Sequence, residues 1–386
     1  MGKPVAWEIP FHRPPKVSGT LAALERVVQY TGAAPQHEAP MANRCRQLLQ
    51  QAGFRLPLLT QSCTAALELA ALQLPPQTVV AVPSFTHPAT ANAFLRVGCL
   101  VRWVECRPAE PMPGVADYLQ FPEARVWVVV HYGGQAPADF AAIRAAATRQ
   151  NVRLVEDAAH AFGSSWEKQP LGTFGALGAF SFHRTKHIAA GEAGFLSVNR
   201  PEWYTELQQR QHHGTDRARF QEGYVEAYQA LRVGGAFAPA ELTLAVLQAQ
   251  LRSAPALLSE RRRQWQHYQA LFAARSWPAH LLWPAPEHLP AALHANGHVF
   301  WLKLANRTQR EALRSFLAER SIQAAFHYTA LHSSPLGQRV HPRAHCPNAR
   351  NWSYCLLRLP LYQGLTPEEQ ARVVAACHEF FAEPGK

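Results

Sequence analysis

The chain has 386 residues, 48% of them hydrophobic, with seven cysteines and a formal net charge of +11. That length can bury a large core and divide into two domains, and no uninterrupted apolar run is long enough for a membrane-spanning helix. The odd cysteine count and the absence of a CxxC suggest neither a disulfide framework nor a zinc ribbon, so a reducing, cytoplasmic setting without a metal is expected.

The start, "MGKPVAWEIPFHRPPKVSG", places prolines and charges where a signal peptide needs an apolar stretch. Further on, "CTAALELAALQL" (63–74) reads as a helix that Ser62 caps. "TVVAVPSF" (78–85) and "RVWVVVHYGG" (125–134) read as strands, and "DFAAIRAAATRQ" (139–150) as a helix. Three more strands follow, "VRLVEDAAH" (152–160), "GALGAFSFH" (175–183) and "AGFLSVN" (193–199). Near-continuous apolar strands separated by helices predict an α/β fold whose mostly parallel sheet is covered on both faces.

From Glu241 a long helical stretch runs to about residue 274, with a break expected near Pro255. Within it "SERRRQWQHYQ" (259–269), the densest basic run, reads as a solvated helix face. The tail mixes strands ("HVFWLKL", 298–304; "AAFHYTAL", 324–331) with helices ("QREALRSFLAERSI", 309–322; "PEEQARVVAACHEFFA", 367–382). This predicts a large domain over residues 1–245 and a smaller α+β domain over 246–386. The basic residues are dispersed and no nucleic-acid module is present, so a small anionic substrate suits the charge better than nucleic acid.

Ligands of open parallel sheets sit beyond the carboxyl ends of the strands. Ser84, Thr86 and His87 follow one strand, His131 and Tyr132 another, Asp157 and His160 a third, Ser181, His183 and Lys186 a fourth. His183 reads as a satisfied core histidine. The helix opening at Cys63 and Thr64 leaves free amides suited to an anion. Asp157 and Lys186, 29 residues apart, can reach one crevice. Pyridoxal phosphate needs these three groups: a lysine for its aldehyde, an acid for its ring nitrogen and a helix start for its phosphate.

The segment "VEDAAHAFGSSWEKQPLGTFGALGAFSFHRTKHIAAGEAG" resembles the central motif of the DegT-type sugar aminotransferases, E-D-A-A-[QH] followed by S-F-H-x-x-K and a Gly-Glu-Gly run. The likeness extends from "IPFHRPPKVSGT" to "LRLPLYQGLTPEEQ". "SCTAALELAA", "ATANAF", "VHYGG", "FHYTALHSSPLG" and "GTDR" make it most similar to the aminotransferases of TDP-4-keto-6-deoxyglucose.

The resemblance implies a fold-type-I, aspartate-aminotransferase-like architecture and a homodimer with shared active sites. It implies transfer of an amino group from an amino acid, glutamate above all, to a keto-sugar carried on a nucleotide. Lys186 would bind the cofactor covalently and move the substrate proton. Asp157 would pair with the ring nitrogen and His160 with the phenolic oxygen. Ser181, Thr64 and the Cys63 amide would hold the phosphate, and His87 would lie over the ring. His327 and Tyr328 would face the sugar, and Arg217 its anionic handle, provided that "HHGTDRARF" (212–220) is extended.

The sequence departs from the family at four places. Ala236 and Ala238 stand where many members give an asparagine and an arginine across the dimer, and "AAPQHEAP" (33–40) replaces a glycine-rich crossing segment. His187 replaces the asparagine after the lysine, and Ala193 a glycine of the Gly-Glu-Gly run. A dehydratase on the same scaffold would carry histidine in place of Lys186. The rival from another class, an idle sensor or scaffold, is opposed by the intact set Asp157, His160 and Lys186.

Overall fold

The structure is a computed structural model that describes residues 7–30, 40–221 and 223–382. Its centre is a seven-stranded sheet of β1 (Pro57–Thr60), β2 (Val79–Pro83), β3 (Leu100–Val104), β4 (Val126–Val130), β5 (Arg153–Asp157), β6 (Leu177–Ser181) and β7 (Gly194–Val198). The spatial order is β1-β7-β6-β5-β4-β2-β3, and only β7 runs against the others. The mostly parallel α/β fold is as expected. Residues of β4, β6 and β7 are buried throughout, because helices cover both faces.

Register aligns the chemistry. Val130 pairs with Asp157 and Asp157 with Ala179, while Ser181 and Thr60 both pair with Gly194. The ends of β5 and β6 therefore open on one edge, beside the Cys63–Ala71 helix. Gly194 is required there: a Cβ would lie 2.6 Å from the Cys63 amide nitrogen.

One face of the sheet packs on the helices Thr20–Tyr30 and Pro40–Gln51, together with the first part of a 33-residue helix, Glu241–Ala273. That helix is continuous through Pro255, contrary to the expected break. Ala254 and Leu257 are buried beside it, so packing holds the turn that lacks one N–H. The basic run on it is not a solvated face throughout, since Arg261, Gln264, Trp265 and Tyr268 are buried. The last two of these enter a second core with the antiparallel pair Trp301–Lys303 and Leu356–Arg358 and the helices Arg307–Glu319 and Pro367–Ala382.

The stretch 324–331 makes one bridge, Ala325 to Arg358, instead of the expected strand. It bends toward the sheet, where Leu331 N–H donates to the Ser84 carbonyl at 2.8 Å. Among the described residues no helix is long and apolar enough to cross a membrane.

Candidate active site

A cavity of about 380 Å³ lies at the carboxyl edge of the sheet and includes Lys186, Asp157, His160, Cys63, Thr64 and Ser181 in its lining. His87, His327 and Tyr328 also line it. Of the strand-end candidates, Ser84, Thr86, His131 and Tyr132 are buried in the scaffold and do not line it, and of the residues assigned a role at the site Arg217 is not brought there. It opens a short helix, Arg217–Gln221, and is exposed. Two residues apart on a helix, Arg217 and Arg219 point to opposite sides, so the extended geometry that would align them is not adopted.

Asp157 is the last residue of β5 and buried. Its Oδ2 accepts from the Thr90 hydroxyl at 2.6 Å and its Oδ1 from Ala159 N–H at 3.1 Å. Thr90 gives its only proton to Asp157, so Thr86, 3.0 Å away, must donate to Thr90. This hydroxyl relay escaped the sequence reading, although "ATANAF" contains Thr90.

His160 is buried and its Nδ1 accepts the Gly133 N–H at 3.2 Å. Burial pushes its pKa well below the usual range, so the ring is neutral and its one proton sits on Nε2, 3.2 Å from the Tyr328 hydroxyl. Gly133 and Gly134 have φ of 65° and 80°, a left-handed turn open to glycine. A Cβ on Gly134 would strike the buried Asn296 side chain.

Lys186 follows β6 in a turn closed by its N–H to the His183 carbonyl, 2.8 Å. Desolvation lowers its pKa to about 8, while Cys63 and Asp157 oppose the shift. Ser62 caps the Cys63–Ala71 helix by accepting the Ala65 N–H at 3.1 Å, as expected. That leaves the Cys63 and Thr64 amides, without partners among the described residues, at the cavity. The Ser181 hydroxyl accepts His183 N–H at 3.3 Å. His183 itself is no core residue: it lines the cavity, with its Nε2 3.4 Å from Glu192.

His87 caps the Pro88–Arg96 helix through Nδ1, and its ring meets Tyr328 edge-on at 5.8 Å. His327 and Tyr328 stack at 4.3 Å. Arg358, which the sequence reading missed, is buried in the lining with Nη1 3.1 Å from His327 Nδ1 and no carboxylate in ion-pair range among the described residues. Its only sequence signal was the position of an arginine on a short apolar strand, "LLRLP". Glu156, beside Asp157 on β5, points the other way and belongs to the scaffold.

A model of the DegT/DnrJ/EryC1/StrS aminotransferase family matches residues 46–378. The chain belongs to that family. It is a pyridoxal-phosphate-dependent aminotransferase. Solved structures with the same fold include the aminotransferase TlmJ from Streptoalloteichus hindustanus, 24% identical, covering 97% of this chain and 99% of that one, at a TM-score of 0.85. PseC from Helicobacter pylori, an aminotransferase of pseudoaminic acid biosynthesis, is 19% identical with coverages of 97% and 99% and a TM-score of 0.85. The putative sugar aminotransferase Spr1654 from Streptococcus pneumoniae is 21% identical with the same coverages and a TM-score of 0.83.

The donor set fits the family's cofactor. Free helix-start amides suit a phosphate, the Nε2–H of His160 suits a phenolic oxygen, and a carboxyl fixed by Thr90 suits a ring nitrogen. Ala236 meets His212 in a backbone bridge and Phe237 accepts Gln61 N–H, so the stretch with the two alanines runs beside β1. The departure at 33–40 lies, apart from Pro40, outside the described residues.

Proposed function

We propose that the chain moves an amino group from glutamate to the keto group of a nucleotide-linked deoxysugar, such as a TDP-4-keto-6-deoxyhexose. The observation that carries this reading is a single cavity in which Lys186, Asp157 and His160 meet a buried arginine without an acid partner. When bound, pyridoxal phosphate supplies an aldehyde that condenses with amines and a ring that accepts an electron pair.

The protein's part is binding and proton control. Cys63 and Thr64 amides with the Thr64 and Ser181 hydroxyls would hold the phosphate, and His87 would cover the ring. Asp157, aimed by Thr90, would hold a proton at the ring nitrogen. His160 would donate its Nε2 proton to the phenolic oxygen. Lys186, with its pKa near 8, gives up its proton readily and would take one from the amino-acid α carbon. Arg358 would receive the donor's carboxylate, whose charge offsets an otherwise unpaired buried guanidinium. His327 and Tyr328 would face the sugar.

The reading includes a cytoplasmic homodimer with shared sites and a smaller domain from about residue 246. Arg217 serves a nucleotide phosphate only in such a dimer, because its own chain's cavity excludes it. The test is a screen of nucleotide-linked 3-keto and 4-keto deoxysugars with glutamate as donor, following 2-oxoglutarate release. Amination of one of them supports the reading; turnover of free keto-sugars alone at equal efficiency defeats the nucleotide-linked part.

A further inference from the structure

His187 and His298 are buried, and their Nδ1 atoms stand 2.9 Å apart. The other nitrogen of His187, Nε2, is 2.8 Å from the Phe162 carbonyl. A carbonyl only accepts, so Nε2 of His187 carries a proton. Burial pushes the His187 pKa down to about 3, which leaves the ring neutral with that proton alone. Its Nδ1 is therefore a bare acceptor, and the donor across the 2.9 Å contact is Nδ1–H of His298. His298 is held neutral by burial as well. Its Nε2 consequently offers a lone pair and no proton.

Asn296 fixes this arrangement. Its Oδ1 accepts His298 N–H at 2.9 Å, and its Nδ2 donates to the carbonyls of His160 and Phe162 at 2.7 and 2.9 Å. His298 lines the cavity, with its ring centroid 4.5 Å from that of His160. No described residue satisfies its Nε2. His160 and His298 thus present opposite hydrogen-bonding characters to the cavity, one a donor and the other an acceptor.

An acceptor needs a ligand with a proton to give. The carboxylates of an amino-acid donor only accept, and its amino group is engaged at the reacting carbon beside Lys186. A sugar carries hydroxyls. We infer that His298 is a specificity-determining residue that accepts a hydrogen bond from a hydroxyl of the sugar, its tautomer locked by His187. The inference rests on the sugar aminotransferase reading above.

The experiment follows the two half-reactions of the holoenzyme separately, glutamate alone and then the keto-sugar nucleotide that the wild type accepts. His298→Phe keeps a flat ring against His160 and removes the acceptor. It should lower kcat/KM for the sugar half-reaction about ten- to a hundredfold and leave the glutamate half-reaction within about twofold. His298→Gln, which restores an acceptor, should recover part of the loss. Nitrogen NMR of histidine-labelled holoenzyme should show His298 protonated at Nδ1 and bare at Nε2, a reading that needs no variant to fold. Equal losses in both half-reactions, unchanged sugar kinetics in His298→Phe, or a protonated Nε2 would each overturn the inference. A wild-type enzyme that aminates no keto-sugar overturns the functional reading and this inference together.

Discussion

Glu156 and Asp157 are adjacent carboxyls on β5, and replacing each by its amide should have opposite consequences. Glu156 Oε1 accepts N–H groups of Phe174 and Gly175 at 2.7 and 2.6 Å, and Oε2 accepts from Gly172 N–H and His131 Nε2, both at 2.7 Å. Three of these bonds are buried and that from Phe174 partly so, and Glu156 itself is fully buried. Glutamine keeps one oxygen and turns an NH2 toward two of these donors. Each unsatisfied buried donor costs about 1–3 kcal/mol, and breaking a buried charged network costs about 3–5 kcal/mol in all. With unfolding entropy near 2.1 cal/mol/K per residue, a 386-residue chain should melt about 4 to 6 °C lower. Asp157 receives two hydrogen bonds among the described residues, one on each oxygen; an asparagine oxygen keeps the Ala159 N–H, and the Thr90 hydroxyl can turn its proton to Thr86 and accept from the new NH2. Asp157→Asn should melt within about 2 °C of the wild type yet lose one to several decades of turnover, because an amide cannot hold the ring-nitrogen proton. Differential scanning calorimetry of the apo-proteins and steady-state assays of the loaded enzymes measure both. A Glu156→Gln variant that melts with the wild type, or an Asp157→Asn variant with normal turnover, refutes the assignment of scaffold and chemistry to the two faces of the strand.

Borohydride reduction of the loaded protein should fix the cofactor on Lys186, and peptide mapping to Lys168 or Lys303 would refute its role; Lys186→Ala should fold and lack turnover. Arg358→Leu should raise the KM for glutamate by about a hundredfold with little change in the sugar half-reaction, and equal effects on both would remove the carboxylate assignment. Three buried histidines, His160, His187 and His298, and the partly buried His327 have pKa values lowered by desolvation. Below about pH 6.5 the unfolded chain binds protons that the folded one refuses, so apo-protein stability should fall with pH from there toward pH 3. A stability curve flat between pH 6.5 and 4 would contradict the neutral cluster. Gly194→Ala should weaken cofactor retention, since its Cβ would displace the Cys63 amide; equilibrium dialysis showing unchanged affinity would exclude that contact from the phosphate cradle.

Local pattern determined much of this protein. The apolar runs at 126–130, 153–157 and 177–181 are strands because residues apolar on both faces need cover on both sides, and the helix after Ser62 starts where a short oxygen can cap it. Asp157, His160 and Lys186 were legible because their types and order match a known chemistry. What the sequence could not determine depends on contacts between distant segments. Nothing local distinguishes Glu156 from Asp157; the loop at 172–175 ties one into the scaffold, while the other, held by Thr90 on a different helix, faces the cavity. Arg358 reads as an ordinary strand residue until the segment through Ala325 and His327 packs against it and buries it. His187 and His298, 111 residues apart, acquire defined tautomers only when each becomes the other's hydrogen-bond partner. The helical turn at Arg217 parted two arginines that an extended chain would have aligned. Secondary structure follows from neighbours a few residues away, whereas protonation, burial and pairing are settled by groups that only the tertiary fold brings within hydrogen-bond distance.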